Sequence, residues 1–306
     1  MHDLRNHLEK YLEYCSQQKC LDAKTLKAYR IDLAQFSNSM AFTDITSISS
    51  EHLEHYISML HQQYKPKTSK RKIASIKAFF HYLEYKDIIE KNPFTKLRIK
   101  FREPVILPKT IPLHCIETLL SSIYRQRIDA KTKYQKRNAL KDAAIIELLF
   151  ASGMRISELC SLKAHDINLH DGTILIHGKG SKERILQIGT PEVLSLLHEY
   201  KQEFLPEITQ CSYFFANQTG KAVSDQSIRR MINKYCNLAA IELHITPHMF
   251  RHTFATSLLE ADVDIRYIQE MLGHSSINVT EIYTHVATAK KKDILQTKHP
   301  RKDFRV

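Results

Sequence analysis

Between residues 3 and 86 the apolar side chains fall four times into helical spacing, and this repetition restricts the fold more than any other feature. Leu4, Leu8, Tyr11 and Leu12 make one stripe over residues 3–18, and Leu26, Tyr29, Leu33 and Phe36 a second over 24–39. Leu53, Tyr56, Ile57 and Leu60 mark a third helix over 50–64, and Ile73, Ile76, Phe79, Phe80 and Leu83 a fourth over 67–86. Four amphipathic helices of this length can bury their stripes against one another, which predicts a four-helix core. The fourth also carries Lys67, Lys70, Arg71, Lys72 and Lys77. A charge run of this kind is either a solvated face or a strip that touches nucleic-acid phosphates. The rest of the chain favours the second.

Pro93, Pro104, Pro108 and Pro112, with Lys96, Arg98, Lys100 and Arg102 among them, then read as an extended basic linker. A domain boundary near residue 105 follows. Helices are predicted over 113–126, 138–152, 157–162, 190–203 and 224–240, and the polar stretch QRIDAKTKYQKRN between the first two reads as an exposed loop or a helix extension. The period changes once. Residues 172–188, GTILIHGKGSKERILQI, form two β-branched runs around a Gly-Lys-Gly-Ser turn, a hairpin with Lys179 at its tip. With only seven glycines in 306 residues, the class is mainly α with a small β-hairpin or sheet.

The net charge of +12 points to a polyanionic partner, nucleic acid before acidic membrane. Six cysteines without CxxC pairs read as reduced thiols of a cytoplasmic protein. Residues 1–20 are too polar for a signal peptide, and no apolar run is long enough for a bilayer.

The stretch from Thr246 to Val286 concentrates the chemistry. Thr246 suits a helix N-cap and Pro247 the first helical position, which puts His248 and Arg251 on one face of the opening turns. That helix should run to about Ala261; a second begins after Asp264 and ends at Gly273, His274 follows, and Tyr283 falls on a next short helix. Arg155 lies near the start of the 157–162 helix, with Glu158 as a candidate ion-pair partner. Two arginines, a lysine, two histidines and a tyrosine suit phosphodiester chemistry. Arginines can offset charge on the non-bridging oxygens, a lysine can protonate a leaving oxygen, and a tyrosine can attack phosphorus. A rival reading takes His244, His248 and His252 as zinc ligands. Against it, Pro247 breaks the helix before His248, Arg251 sets a cation beside the site, and no acidic ligand is close in sequence.

TLKAYRIDLAQF and KRKIASIKAFFHYLEYKDIIEKNPF resemble the N-terminal core-binding domain of tyrosine recombinases of the phage-integrase family, and of its compact Xer-type members above all. ASGMRISELCSLKAHDI, HGKGSKERILQIG and the 246–286 stretch resemble the family's catalytic boxes in order. The resemblance implies catalytic roles for Arg155, Lys179, His248, Arg251, His274 and the nucleophile Tyr283, with Lys67, Lys70, Arg71, Lys72 and Lys77 as candidate DNA contacts. It implies a two-domain C-shaped clamp. Residues 1–105 would be a helical, SAM-like core-binding domain ending in the basic linker, and 106–306 a mixed α+β catalytic domain. Duplex DNA is the implied partner, with a tetrameric synapse of copies that are monomers or weak dimers when free. A second recombinase or accessory protein is a further candidate. Strand exchange would pass through a 3′-phosphotyrosine and a Holliday junction, with no cofactor, neither ATP nor a metal.

The chain opens directly at the core-binding stretch, without the arm-binding domain of larger phage integrases, which favours a resolvase-like or small mobile-element recombinase. The segment around 126–138 reads as longer than in the simplest Xer-type members. The basic tail, with Lys290, Lys291 and Lys292 among Val286, Ile294 and Leu295, is either a frayed end or a segment passed to a neighbouring protomer, as the resemblance implies. Two other classes stay open: a topoisomerase-like enzyme that nicks and relaxes without synapsis, and a DNA-binding regulator without turnover, for which Tyr283 would serve no purpose.

Overall fold

The computed structural model describes residues 3–40, 44–99, 101, 109–178, 183–217 and 219–273. The chain divides into two compact units, Met1–Val105 and Ile106–Val306.

The first unit holds α1 (Leu4–Gln17), α2 (Ala23–Ser39), α3 (Ser50–Gln63) and α4 (Pro66–Tyr85), with short 3-10 turns at Ile45–Ser47 and Pro93–Lys96. Side chains cap the first three of these helices where the backbone has orphan N–H groups, and α4 opens on Pro66, which has no N–H to satisfy. Asp22 accepts from the Thr25 N–H at 2.9 Å, and Ser49 and His52 form a reciprocal capping box. The four expected stripes meet in one core around Tyr11, Phe36, Phe79, Phe80 and Leu83. A charged cluster lies inside it. Asp32, on α2, is fully buried and accepts from Lys72 Nζ at 3.0 Å, from the Ser75 hydroxyl at 3.0 Å and from Arg71. Lys72 is 3% exposed; it also donates to Gln35 and lies over the Tyr64 ring. The expectation that Lys72 touches DNA is therefore corrected: its ammonium neutralises a core carboxylate. Lys67, Lys70, Arg71 and Lys77 remain on the exposed side of α4.

The second unit is built on α5 (Leu113–Ile128) and α6 (Lys133–Ser152), followed by α7 (Ile156–Ser161), strands β1 (Ile167–Asn168), β2 (Thr173–His177) and β3 (Glu183–Gln187), and helices α8 (Pro191–Glu203), α9 (Leu205–Cys211), α10 (Asp225–Leu238), α11 (Pro247–Glu260) and α12 (Ile265–Leu272). Helix α6 is the central element: Ala143, Ala144, Ile146, Leu148 and Leu149 are all buried where α5, α8 and α11 pack on it. The segment around 126–138 is helix extension, since α5 runs on to Ile128 and α6 starts at Lys133 behind a Thr132–Gln135 capping box. The hairpin is antiparallel, with Ile176 opposite Arg184, and β1 adds a third strand beside β2. Strand β1 and helix α9 were not expected. Among the described residues no helix is long and apolar enough to cross a membrane.

Candidate active site

Helix α6 ends at Gly153, which has φ +60°, a left-handed conformation that favours glycine. A Cβ there would also come within 2.5 Å of the Phe254 ring. The sharp stop puts Arg155 at the N-cap of α7. Glu158, one turn on, reaches back to accept the Arg155 N–H at 2.8 Å and its Nη1 at 2.7 Å. The Arg155 side chain stays 36% exposed while Glu158 is buried. Burial alone would raise the Glu158 pKa, but the bonds from Arg184 and from Arg155 outweigh it and hold the carboxyl below its ordinary range.

Arg251 approaches from α11. It is 5% exposed, and its Nη1 and Nη2 donate to the carbonyls of Gly153 (2.9 Å) and Leu272 (2.5 Å). Both carbonyls stand at helix C-termini, where intrahelical partners run out. One guanidinium thus ties the end of α6 to the end of α12. His248 lies on the same helix, one turn earlier and exposed. Its pKa is lowered first by partial loss of hydration and then by the charges of Arg229 and Arg251; Asp225 opposes them, and Arg155 adds a smaller lowering. The imidazole is thereby kept neutral near pH 7. Thr246 sits at the N-cap as expected, but its hydroxyl caps no N–H.

The structure therefore brings Arg155, His248 and Arg251 together. Lys179, His274 and Tyr283 lie outside the described residues. Strands β2 and β3 come before and after Lys179 in sequence, and His177, the last residue of β2, meets Asp166 and Glu183, each at 3.0 Å. These carboxylates raise the His177 pKa. Helix α12 ends at Gly273, at φ +62°, immediately before His274 in sequence. His252 is half-buried, its pKa lowered by burial and by His248 and Arg251. No group of three His, Cys, Asp or Glu side chains able to hold a metal forms among the described residues, His244, His248 and His252 included.

Two arginines near the site went unnoticed in the sequence. Arg229, on α10, bonds Asp225 at 2.7 Å and acts on His248 through its charge. Arg184, on β3, grips Glu158 with Nη1 and Nη2 at 3.0 and 2.7 Å. Neither stands in a motif that sets it apart; only Glu158, three residues after Arg155, had a local signal.

Residues 120–290 match the phage integrase family, and residues 8–86 its N-terminal SAM-like domain. The chain belongs to the phage integrase family, the tyrosine recombinases that cleave and rejoin DNA. It is 69% identical over 304 residues to a tyrosine recombinase of Agathobacter rectalis, covering 99% of each chain. It is 35% identical to the tyrosine recombinase XerD of Listeria monocytogenes, over 98% of this chain and 100% of that one. Among solved structures it resembles the XerH site-specific recombinase bound to a palindromic difH substrate after cleavage, with a TM-score of 0.75 and 25% identity over 95% of this chain and 83% of that one. A lambda integrase tetramer bound to a Holliday junction shares the fold, with a TM-score of 0.69 at 15% identity over 90% and 78% of the two chains.

Proposed function

We propose that this protein is a site-specific recombinase that breaks and rejoins duplex DNA at Tyr283, with Arg155, Lys179, His248, Arg251 and His274 completing the site. One observation carries the reading. Two guanidiniums are held by protein acceptors, Arg155 by Glu158 and Arg251 by the Gly153 and Leu272 carbonyls, and the charge of both lowers the pKa of His248. That is a seat for a phosphodiester whose charge rises as a fifth oxygen approaches.

In the forward step the Tyr283 oxygen attacks phosphorus and the bond to the 5′ oxygen breaks, leaving a 3′-phosphotyrosine and a 5′-hydroxyl. Arg155 and Arg251 offset the charge on the non-bridging oxygens. Lys179 gives its proton to the departing 5′ oxygen, and neutral His248 takes the phenolic proton. Attack by the 5′-hydroxyl of the exchanged strand reverses these transfers. The phosphotyrosine keeps the bond energy, so the chemistry calls for no nucleotide cofactor. DNA and further copies of the chain are the partners, as in the DNA-bound recombinase structures it resembles, and the cytoplasm is the compartment that fits. The reported relatives are recombinases and lend no support to relaxation without synapsis.

Tyr283→Phe tests the reading. It should keep DNA binding and form no covalent complex on a nicked suicide substrate, while the wild type accumulates one. Continued attachment by the phenol-less variant would sink the nucleophile assignment. Recombinant product from two sites, rather than relaxed circles alone, separates recombination from nicking.

A further inference from the structure

Arg184 lies on β3 with its side chain 12% exposed, and three of its donors go to protein acceptors. Nη1 and Nη2 fork onto Oε1 and Oε2 of Glu158 at 3.0 and 2.7 Å, and Nε donates to the Met271 carbonyl at 3.0 Å. Its stem packs beneath Gly273, where a Cβ would come within 2.9 Å of the Arg184 Cδ. One side chain thereby joins a strand of the hairpin, the start of α7 and the end of α12.

Glu158 is the link to chemistry. Its Oε1 accepts from both Arg184 Nη1 and Arg155 Nη1, and its Oε2 from both Arg184 Nη2 and the Arg155 N–H. Rotation about the last torsion of a glutamate is broad and soft, so a carboxylate held from one side alone can swing. The planar fork of an arginine removes that freedom, because two parallel N–H bonds fix the plane of the group that accepts them. A lysine in its place would supply charge without a plane.

We propose that Arg184 is a positioning residue for DNA cleavage: it fixes the plane of the Glu158 carboxylate and, through it, the direction in which Arg155 presents its guanidinium to the scissile phosphate. This rests on the reading of Arg155 as a phosphate-binding group. It assigns Arg184 no contact with DNA. Arg184 therefore affects the rate of the chemical step, leaves half-site affinity alone, and acts only while Arg155 is there to be aimed.

The test uses Arg184→Lys in the full-length chain, which keeps the charge and most of the stem but loses the fork. On a nicked suicide substrate at saturating protein, covalent-complex formation should slow on the order of 10- to 100-fold, the range for groups that orient a ligand from one layer out. The half-site Kd should stay unchanged. The deciding measurement replaces the scissile phosphate by a neutral methylphosphonate. With one charged oxygen gone, aiming Arg155 matters less, and the gap between wild type and R184K should largely close. Arg155→Ala with R184K should be no slower than Arg155→Ala alone, the coupling expected of two groups acting as a unit. Because both linkages are compared on one preparation, a partly unfolded variant cannot produce the closing gap. Equal slowing on both linkages, additive double-mutant effects or an unslowed R184K beside a cleaving wild type overturns the inference. A wild type that forms no covalent complex overturns the recombinase reading itself.

Discussion

Asp32 in the N-terminal unit and Glu158 in the C-terminal unit are both buried carboxylates gripped by two cations, one largely enclosed beside them and one reaching the surface. Lys72, buried, and Arg184, 12% exposed, are the inner members, and Arg71 and Arg155, with side chains 47% and 36% exposed, the outer ones. The difference lies in where each cluster sits. Asp32 joins the middles of α2 and α4, where every backbone group already has a partner within its helix. Its cluster can only lock two helices in register. Glu158 sits where α7 begins, and Arg184 beside it reaches the Met271 carbonyl at the end of α12, while Arg251 bonds the ends of α6 and α12, where C=O groups lack intrahelical partners. Those orphan groups draw in charged side chains, and guanidiniums collect around one small volume. The same ionic unit is a bolt in one setting and the wall of a site in the other.

Crossed substitutions break that comparison most directly. Asp32→Ala leaves Lys72 buried without a counter-charge, and loss of one partner of a buried pair costs about 3–5 kcal/mol. Denaturant unfolding should show that loss, while cleavage per folded molecule on a suicide substrate stays near wild type. Arg155→Ala should do the reverse, slowing cleavage by about 10²–10³-fold, as expected for one lost transition-state donor. Its stability should change far less than that of Asp32→Ala. If Asp32→Ala slows chemistry as much as Arg155→Ala does, the two clusters are not different in kind.

A smaller effect separates the clusters by pH. The folded pKa of His248 lies below the ordinary imidazole value of about 6.5. For a histidine lowered on folding, the contribution to stability is complete above the unfolded value. It is lost as pH falls below that value toward the folded one. If neutral His248 takes the phenolic proton, the acid limb of the cleavage rate lies below pH ~6.5. Arg229→Gln removes one of the charges that lower it, so the limb should move to higher pH. Arg71→Gln, in the other unit, should leave it in place. A pH–rate profile of the three proteins on the suicide substrate checks this, and an acid limb that ignores Arg229 would falsify the role given to His248.

Much of this was legible in the sequence because it was local. The stripe of Leu4, Leu8 and Tyr11, the Pro247 start of α11, the Gly273 stop of α12 and the β2–β3 hairpin each depend on neighbours in the chain, and each stands where expected. Strand β1, two residues long, has too short a period to show, and α9, only seven residues long, starts directly after the Phe204 end of α8, with Pro206 in its first turn as the one signal of the break. The overlooked charges are long-range. Arg184 meets Glu158 across 26 positions and Lys72 meets Asp32 across 40. Even so, Lys72 stands beside Ile73 on the core face of α4, and Asp32 beside Leu33 on that of α2. Opposite charges on two stripes that must face each other were a signal of a buried pair.

The smallest effect concerns the surface of α4. Lys67 and Lys77 are exposed there, and Lys72 between them is not. If the exposed strip follows a DNA backbone, each phosphate contact releases counterions and adds roughly −0.9 to the slope of log K against log salt. Lys67→Gln with Lys77→Gln should then reduce the slope by about 0.9 for each lost contact. Affinity should fall alike on specific and unrelated duplexes, because phosphates carry no sequence information. Lys72→Gln must behave otherwise. It leaves Asp32 without the ammonium that neutralises it, so the measured change should be in unfolding and not in the salt slope of the folded fraction. Fluorescence anisotropy at several salt concentrations, beside denaturant melts of the same proteins, separates the two. A slope unchanged in the double variant would make the strip a solvated face, and a lowered slope with normal stability in Lys72→Gln would put that ammonium back on the DNA.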